Sequence, residues 1–177
     1  MSRAACLVVV VAAACCGSVP AFAATGPSVH ATAYLIEDAR TGEVLASSNA
    51  HARLPIASLT KLMTVLLTLQ HHKLTDVVTV DPRAAAVGES TIDLRSGEQM
   101  TVSDLIKGAL IQSANDAADA LALSMAPDYP SFARLMNDEA ARLGLRDTHF
   151  VRPDGLDAAD EYSTADDVTA LARLVMR

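Results

Sequence analysis

Ser58 and Lys61 have the residue types and the spacing of a nucleophile and its base. They stand three positions apart at the start of an apolar stretch, LPIASLTKLMTVLLTLQ, and residues i and i+3 share one face of a helix. A serine hydroxyl becomes an effective nucleophile when a base takes its proton, and a neutral lysine amine can be that base. Two arrangements are open: the lysine extends its charge into water, or it is held near Ser58, where burial and the helix dipole lower its pKa.

A second short motif, Ser113-Ala114-Asn115, follows the first one along the chain. The same S-x-N pattern also occurs at Ser47-Ser48-Asn49, and both S-x-x-K and S-x-N are short enough to arise by chance. Only the later copy follows the candidate nucleophile and interrupts two predicted helices with residues that favour caps and bends. Side chains at such a break can point into a cleft, so Ser113 and Asn115 are candidate site residues.

A hairpin and a core helix are predicted in the first half of the chain. The stretches ATAYLIED and EVLASS are strand-like, and the turn residues ARTG with Gly42 join them, which predicts an antiparallel hairpin. The segment from Ser58 to about Lys73 is apolar on most sides, which predicts a central core helix. Downstream, LTDVVTVDP is predicted to be extended, and STIDLRSGEQM to be irregular with a turn at Ser96-Gly97.

Four further helices are predicted over SDLIKGALIQ, AADALALSMA, PSFARLMNDEAARLGL and ADDVTALARLVMR. Their end signals are a capping box formed by Thr101 with Asp104, a cap at Asp116, breaks at Pro127 and Gly144, and a final cap at Ser163 with Asp166. Strands followed by a run of helices predict an α/β (α+β) fold. A two-stranded hairpin is marginal alone, so the sheet is expected to be unfinished within these residues.

The remaining polar residues have ordinary structural interpretations. The loop RDTHFVRPDGLDAADEY contains a Pro153-Asp154-Gly155 turn, and His149 within it is predicted to be a structural hydrogen-bonding residue. Asp119 is predicted at an exposed position of its helix. The acidic run formed by Asp157, Asp160 and Glu161 is predicted to be a solvated face.

Residues 1–23 are predicted to be a removable export signal. Arg3 precedes the apolar run CLVVVVAAACC, and Ala21-Phe22-Ala23 offers a small-residue cleavage site. The run is shorter than the roughly 18 to 20 residues that span a bilayer. All three cysteines, Cys6, Cys15 and Cys16, lie in this segment, so a mature chain of residues 24–177 contains neither a disulfide nor a thiolate nucleophile.

Charge and residue spacing exclude several other classes of function. The 177-residue chain has a formal net charge of −7 at pH 7, which argues against nucleic acid as a partner. No pair of histidines with a carboxylate has metal-ligand spacing, so the sequence predicts neither a metal site nor a cofactor.

Four stretches together resemble the serine D-alanyl-D-alanine carboxypeptidases, the low-molecular-mass penicillin-binding proteins. They are AYLIEDARTGEVLASSNAHARLPIASLTKLMT, IDLRSGEQMTVSDLIKGALIQSANDAADALA, MNDEAARLGLRDTHFVRPDGLD and YSTADDVTALAR. The resemblance implies a serine β-lactamase/D,D-peptidase-like fold, with an antiparallel sheet and a helical subdomain. It implies that Ser58 is the nucleophile, Lys61 the base, Ser113 a proton relay and Asn115 a substrate-positioning residue. The Ser58 N–H would supply half of the oxyanion hole.

The reaction implied by this resemblance is removal of the terminal D-alanine from a peptidoglycan stem peptide. An acyl-enzyme forms on Ser58 and is hydrolysed by water, and β-lactams trap the same serine. The substrate lies outside the cytoplasm, which agrees with the predicted export signal and places the protein in the periplasm or at the outer face of the cytoplasmic membrane. Membrane association is expected only through a C-terminal region beyond these residues.

The sequence departs from the family pattern in two respects. The third family motif, Lys-Thr-Gly or a close variant on a strand, should follow the last helix and does not occur here. We therefore expect residues 24–177 to be the N-terminal portion of the catalytic domain, truncated at the C-terminus. Arg152 stands where the family often has asparagine.

Three alternatives to this function remain open. A D,D-endopeptidase of the same family would use the same residues. A non-catalytic peptidoglycan-binding remnant would not need the third motif. A class A β-lactamase is disfavoured, because no glutamate after Ser113 begins the E-x-x-L-N pattern of its deacylating loop.

Overall fold

A computed structural model describes residues 29–176; the predicted export signal, residues 1–23, lies outside them. The strands are β1 (Tyr34–Glu37), β2 (Val44–Ser48), β3 (Val77–Thr79) and β4 (Gln99–Thr101). The helices are α1 (Lys61–His71), α2 (Pro82–Ala85), α3 (Val102–Ile111), α4 (Asn115–Met125), α5 (Tyr129–Leu143) and α6 (Ala165–Val175). The predicted mixture of strands and helices is confirmed.

The strands form two antiparallel pairs. β1 pairs with β2 in the predicted hairpin, and the Asp38 carboxylate closes its turn by accepting the backbone N–H groups of Arg40 and Thr41. β3 pairs with β4. Strand β4 differs from the predicted irregular segment: it has three residues and directly follows polar turn residues, so it lacks the apolar β-branched run that predicts β3.

Helix α1 is the central core helix that the apolar pattern predicts. It contributes Val65 to a core with α3 and α4, and Met63, Leu66 and Leu67 to a second core with α5 and α6. Its bounds differ from the prediction: Ala57–Thr60 form a 3₁₀ turn, the α-helix begins at Lys61, and it ends at His71. This tighter turn carries Ser58 immediately before the helix.

Three of the predicted helix ends are confirmed. Helix α4 ends at Met125, two residues before the break predicted at Pro127. Thr101 and Asp104 form the capping box of α3, where the Thr101 hydroxyl accepts the Asp104 N–H at 3.1 Å. Gly144 ends α5 with a φ of 77°, in the left-handed region that glycine adopts without steric cost.

Two predicted caps are wrong. Helix α4 begins after Ala114 without a side-chain cap, and Asp116 lies buried in its first turn. Its carboxylate instead accepts the backbone N–H groups of Ile92 and Leu94, which ties an irregular segment to α4. The last helix is capped by Thr164, because Ser163 is paired through its backbone with Leu54.

Two predictions of solvent exposure are also wrong. The Asp119 side chain is 0% exposed, since its face of α4 packs against the interior. Glu161 is partly buried and accepts hydrogen bonds from the Thr60 hydroxyl and from the N–H groups of Val151 and Arg152. By contrast, Asp157 and Asp160 are exposed as predicted.

Within residues 29–176 no helix is both long and apolar enough to cross a bilayer. Over the same residues, no three metal-ligating side chains come together in a group that could hold an ion.

We expect Asp116→Ala to destabilise the protein by about 2 to 4 kcal/mol, because the N–H groups of Ile92 and Leu94 lose their acceptor. Urea denaturation measures the change. Asp138→Ala is the matched control, since Asp138 is exposed on α5, and its cost should stay within about 0.5 kcal/mol. Equal stabilities for the two variants would contradict this role of Asp116.

Candidate active site

The amine of Lys61 lies inside the protein, 3.1 Å from the Ser58 hydroxyl. Lys61 is 1% exposed, and its Nζ also donates to Asn115 Oδ1 at 2.8 Å and to the Asp154 carbonyl oxygen at 2.6 Å. Three acceptors therefore match the three N–H donors of an ammonium group. Of the two arrangements that the sequence left open, the structure has the lysine held beside Ser58.

The same geometry suits a neutral amine. Two N–H groups remain on Asn115 and Asp154, and the nitrogen lone pair then points to the hydroxyl of Ser58. The Asn115 amide is fixed in the required orientation because its Nδ2 donates to the Gly88 carbonyl oxygen at 3.1 Å. Lys61 is thus positioned to receive the Ser58 proton.

The surroundings of Lys61 act on its charge in two directions. Burial lowers the pKa of Lys61, because the ammonium loses its hydration, and this is the largest effect. The negative charges of Asp154 and Asp119 raise that pKa. The pKa of Lys61 lies below its ordinary value, which is the direction a general base requires.

The turn that carries Ser58 is held by the segment 153–155. Ala57 has a φ of 46°, which is unfavourable for a residue with a side chain. Gly155 packs directly against it: a Cβ on Gly155 would lie 2.0 Å from the Ala57 carbonyl oxygen. The Thr64 hydroxyl on α1 donates to the Pro153 carbonyl oxygen at 2.7 Å, so α1 and this segment are joined at two points.

An ion pair holds segment 153–155 in place. The buried Asp154 carboxylate accepts two hydrogen bonds from the Arg152 guanidinium, at 3.0 and 2.7 Å, and one from the Leu156 N–H. Arg152 therefore has a structural partner next to the site. The backbone N–H of Arg152 is in turn bound by Glu161.

Ser113 lies between α3 and α4 with a φ of 58°, at the predicted break. It lines an open cleft of about 420 Å³ that also reaches Ser58 and Leu62. Within the described part of the chain, the hydrogen bonds of the Lys61 amine go to other groups and not to Ser113. Ser58 and Asn115 line an adjoining cleft of about 180 Å³ with Gly155.

The structure brings the Lys61 amine into contact with both Ser58 and Asn115 and places Ser113 on the wall of the same opening. Sequence reasoning missed Asp154 and Gly155 as parts of the site. The Pro-Asp-Gly pattern predicted their turn, but it gave no sign that the turn packs on the residue before Ser58. His149 lies in the neighbouring loop, where its Nδ1 is 2.7 Å from the Asp160 carbonyl oxygen.

We expect Gly155→Ala to displace the turn that carries Ser58, because the new methyl group overlaps the Ala57 backbone. A displacement of a reacting group by about 1 Å reduces reactivity by about 10²-fold, so we expect a loss of this size at Ser58. The readout is the rate at which Ser58 reacts with a serine-directed acylating reagent. Gly144→Ala is the control, since Gly144 has a φ of 77° and no atom near the position of a Cβ. Similar rates for the two variants would contradict the proposed contact.

Comparisons with known proteins identify the family of this chain. The model of the D-alanyl-D-alanine carboxypeptidase family matches residues 20–177. The D-alanyl-D-alanine carboxypeptidase DacC of Escherichia coli is 44% identical over 161 residues, which cover 85% of this chain and 40% of that protein. A D-alanyl-D-alanine endopeptidase of Pseudomonas aeruginosa is 36% identical over 143 residues, 77% of this chain and 44% of that protein.

The crystal structure of penicillin binding protein 6B from Escherichia coli has a TM-score of 0.80 and 35% identity, covering 88% of this chain and 53% of that one. This likeness confirms the predicted D,D-peptidase-like fold. The chain spans about two fifths of the length of the curated relatives it matches. On its matched residues and its fold, the chain belongs to the D-alanyl-D-alanine carboxypeptidase family.

Proposed function

We propose that the protein is a serine-type D-Ala-D-Ala carboxypeptidase that removes the terminal D-alanine from peptidoglycan stem peptides. The observation that supports this most directly is the buried amine of Lys61 at 3.1 Å from the Ser58 hydroxyl. Membership of the family supplies the substrate class. β-Lactams are proposed as covalent inhibitors that acylate the same serine.

In the acylation step, Ser58 Oγ attacks the carbonyl carbon between the two D-alanines while its proton passes to neutral Lys61. The carbon–nitrogen bond then breaks, the departing amine takes a proton, and an ester forms on Ser58. We propose that Ser113 relays this proton, since it lines the cleft that contains Ser58. The Ser58 N–H stabilises the negative charge on the carbonyl oxygen.

In the deacylation step, water attacks the ester carbon while Lys61 accepts a proton from the water. The bond from that carbon to Ser58 Oγ then breaks, and Lys61 returns the proton to Ser58 Oγ, which releases the shortened peptide. Both polar atoms of the Asn115 side chain are bound within the protein, to Lys61 and to Gly88. We therefore propose two roles for Asn115. It orients the Lys61 amine, and it contacts the peptide when substrate binds.

The proposed site of action is outside the cytoplasm, in the periplasm or at the outer face of the cytoplasmic membrane. Peptidoglycan lies there, and residues 1–23 have the features of an export signal. Residues 24–177 are proposed to be part of the D,D-peptidase catalytic domain. Lys-Thr-Gly does not occur among the 177 residues, and the proposed reaction would need this motif. The penicillin and peptide assays are therefore made on the product of the complete reading frame.

Penicillin should form a covalent adduct on Ser58, and mass spectrometry of the peptide that contains Ser58 detects it. Ser58→Ala should abolish the adduct. Lys61→Arg should slow its formation by about 10²- to 10⁴-fold, because a guanidinium stays protonated and cannot act as the base. Ser47→Ala and Lys107→Arg are the controls, since both residues are exposed and lie outside the site. Absence of an adduct in the folded, unchanged protein would overturn the function and favour a binding remnant.

A D,D-endopeptidase is the second candidate function, because one relative with 36% identity carries that name. We expect kcat/KM to be larger for a stem pentapeptide than for a crosslinked peptide dimer, and chromatography of the two digests measures this. The reverse order would establish the endopeptidase. Rapid hydrolysis of penicillin, in place of a persistent adduct, would instead indicate a β-lactamase.

A further inference from the structure

Asp119 is a buried carboxylate that the proposed mechanism does not use. It is 0% exposed and lies one helical turn after Asn115, on the same face of α4. Its Oδ2 accepts a hydrogen bond from the Tyr129 hydroxyl at 2.7 Å, and its Oδ1 has no hydrogen-bond partner among the described residues. A buried carboxylate with one unpaired oxygen lowers the stability of the fold, so its position beside the site calls for a physical explanation.

The groups that face Asp119 come from three parts of the fold. Lys61 lies on α1, Tyr129 on α5, and the ion pair of Arg152 with Asp154 on the loop that follows α5. The Arg152 guanidinium also lies 6.0 Å from the centre of the Tyr129 ring. Asp119 therefore belongs to a continuous polar cluster that ends at the catalytic amine.

Other charged groups on and around α4 are engaged elsewhere. On α4 itself, the Asp116 carboxylate is bound by backbone N–H groups. On the elements packed against α4, three basic side chains form ion pairs: Arg83 with Asp81, Lys107 with Asp104, and Arg142 with Glu139. On α5, Arg134 donates to the Ser131 hydroxyl and Asp138 is exposed. On α1, the His71 ring lies 2.8 Å from the Leu67 carbonyl oxygen.

A count of charges shows how Asp119 acts on Lys61. With Asp119 ionised, two carboxylates balance the cations of Arg152 and Lys61, and the ammonium is stabilised. With Asp119 protonated, one positive charge is in excess, and loss of the Lys61 proton removes it. Burial, and then the charge of Asp154, raises the pKa of Asp119 to about 7, so its charge changes near neutral pH.

We propose that Asp119 is a positioning residue that sets the protonation state of the Lys61 amine through its charge, without contacting Ser58 or the substrate. The inference rests on the proposed function, because it assigns Asp119 a role in the same reaction. The distinction from a purely structural role is that a structural residue alters stability or the maximal rate, whereas Asp119 alters the pH at which Lys61 becomes a base.

The test is the second-order rate constant for acylation of Ser58 by penicillin, measured across the pH range in which the protein stays folded. The rate rises with pH as Lys61 loses its proton. In Asp119→Asn the rise should move to lower pH by about one unit, because the ammonium loses a stabilising negative charge. Asp138→Asn, which removes an exposed carboxylate from α5, should leave the profile unchanged.

Tyr129→Phe provides a second variant should Asp119→Asn fail to fold. It removes the hydroxyl that donates to Asp119, so the carboxyl holds its proton to higher pH and the profile shifts in the same direction. If the folded variants have the same pH profile as the unchanged protein, the inference is wrong although the proposed function stands. If the unchanged protein is not acylated, the proposed function fails and the inference with it.

Discussion

A single buried cation sets the requirements that the surrounding structure meets. An ammonium group withdrawn from water needs an acceptor for every N–H, and Lys61 finds them on the Ser58 hydroxyl, the Asn115 amide and the Asp154 carbonyl. The first lies in the turn before α1, the second at the start of α4, and the third in the loop after α5. The chain segments that make the site are therefore the ones that provide the hydrogen-bond acceptors for this charge, while burial lowers the pKa of the amine below its ordinary value.

Three of the six non-glycine residues that have a positive φ in the described part of the chain lie around the same opening. Ala57, Glu89 and Ser113 all have positive φ values and line the clefts next to Ser58. Such conformations cost about 1 to 3 kcal/mol each and persist only where neighbouring groups hold them. Here the neighbours are identifiable, since Gly155 packs on Ala57 and the Asn115 N–H binds the Ser90 carbonyl oxygen. The strained turns leave Ser58 exposed and Ser113 partly exposed, whereas Asn115 is buried.

The sequence predicted the local parts of this arrangement better than the long-range ones. The hairpin, the core helix, the α3 capping box and the break at Ser113 depend on neighbouring residues, and each is present. Asp116, Asp119 and Glu161 were misassigned because nothing in the sequence near them indicates their partners. Their hydrogen-bond donors are distant along the chain. Tyr129 is 10 residues from Asp119, Leu94 is 22 residues from Asp116, and Thr60 is 101 residues from Glu161. The Ser58–Lys61 contact was foreseeable from spacing, whereas the third acceptor, the Asp154 carbonyl, was not.

The separation along the chain between Lys61 and the segment that supports it has a consequence for folding. The Lys61–Asp154 and Thr64–Pro153 contacts join residues 93 and 89 positions apart, and loops of that length close late relative to local helices. During synthesis, α1 can therefore form before the amine has its full set of acceptors. Until segment 153–155 docks, Lys61 remains hydrated, with a higher proton affinity, and Ser58 remains an ordinary hydroxyl. The contacts that join Lys61 to Ser58, Asn115 and Asp154 are thus complete only when the tertiary structure has formed.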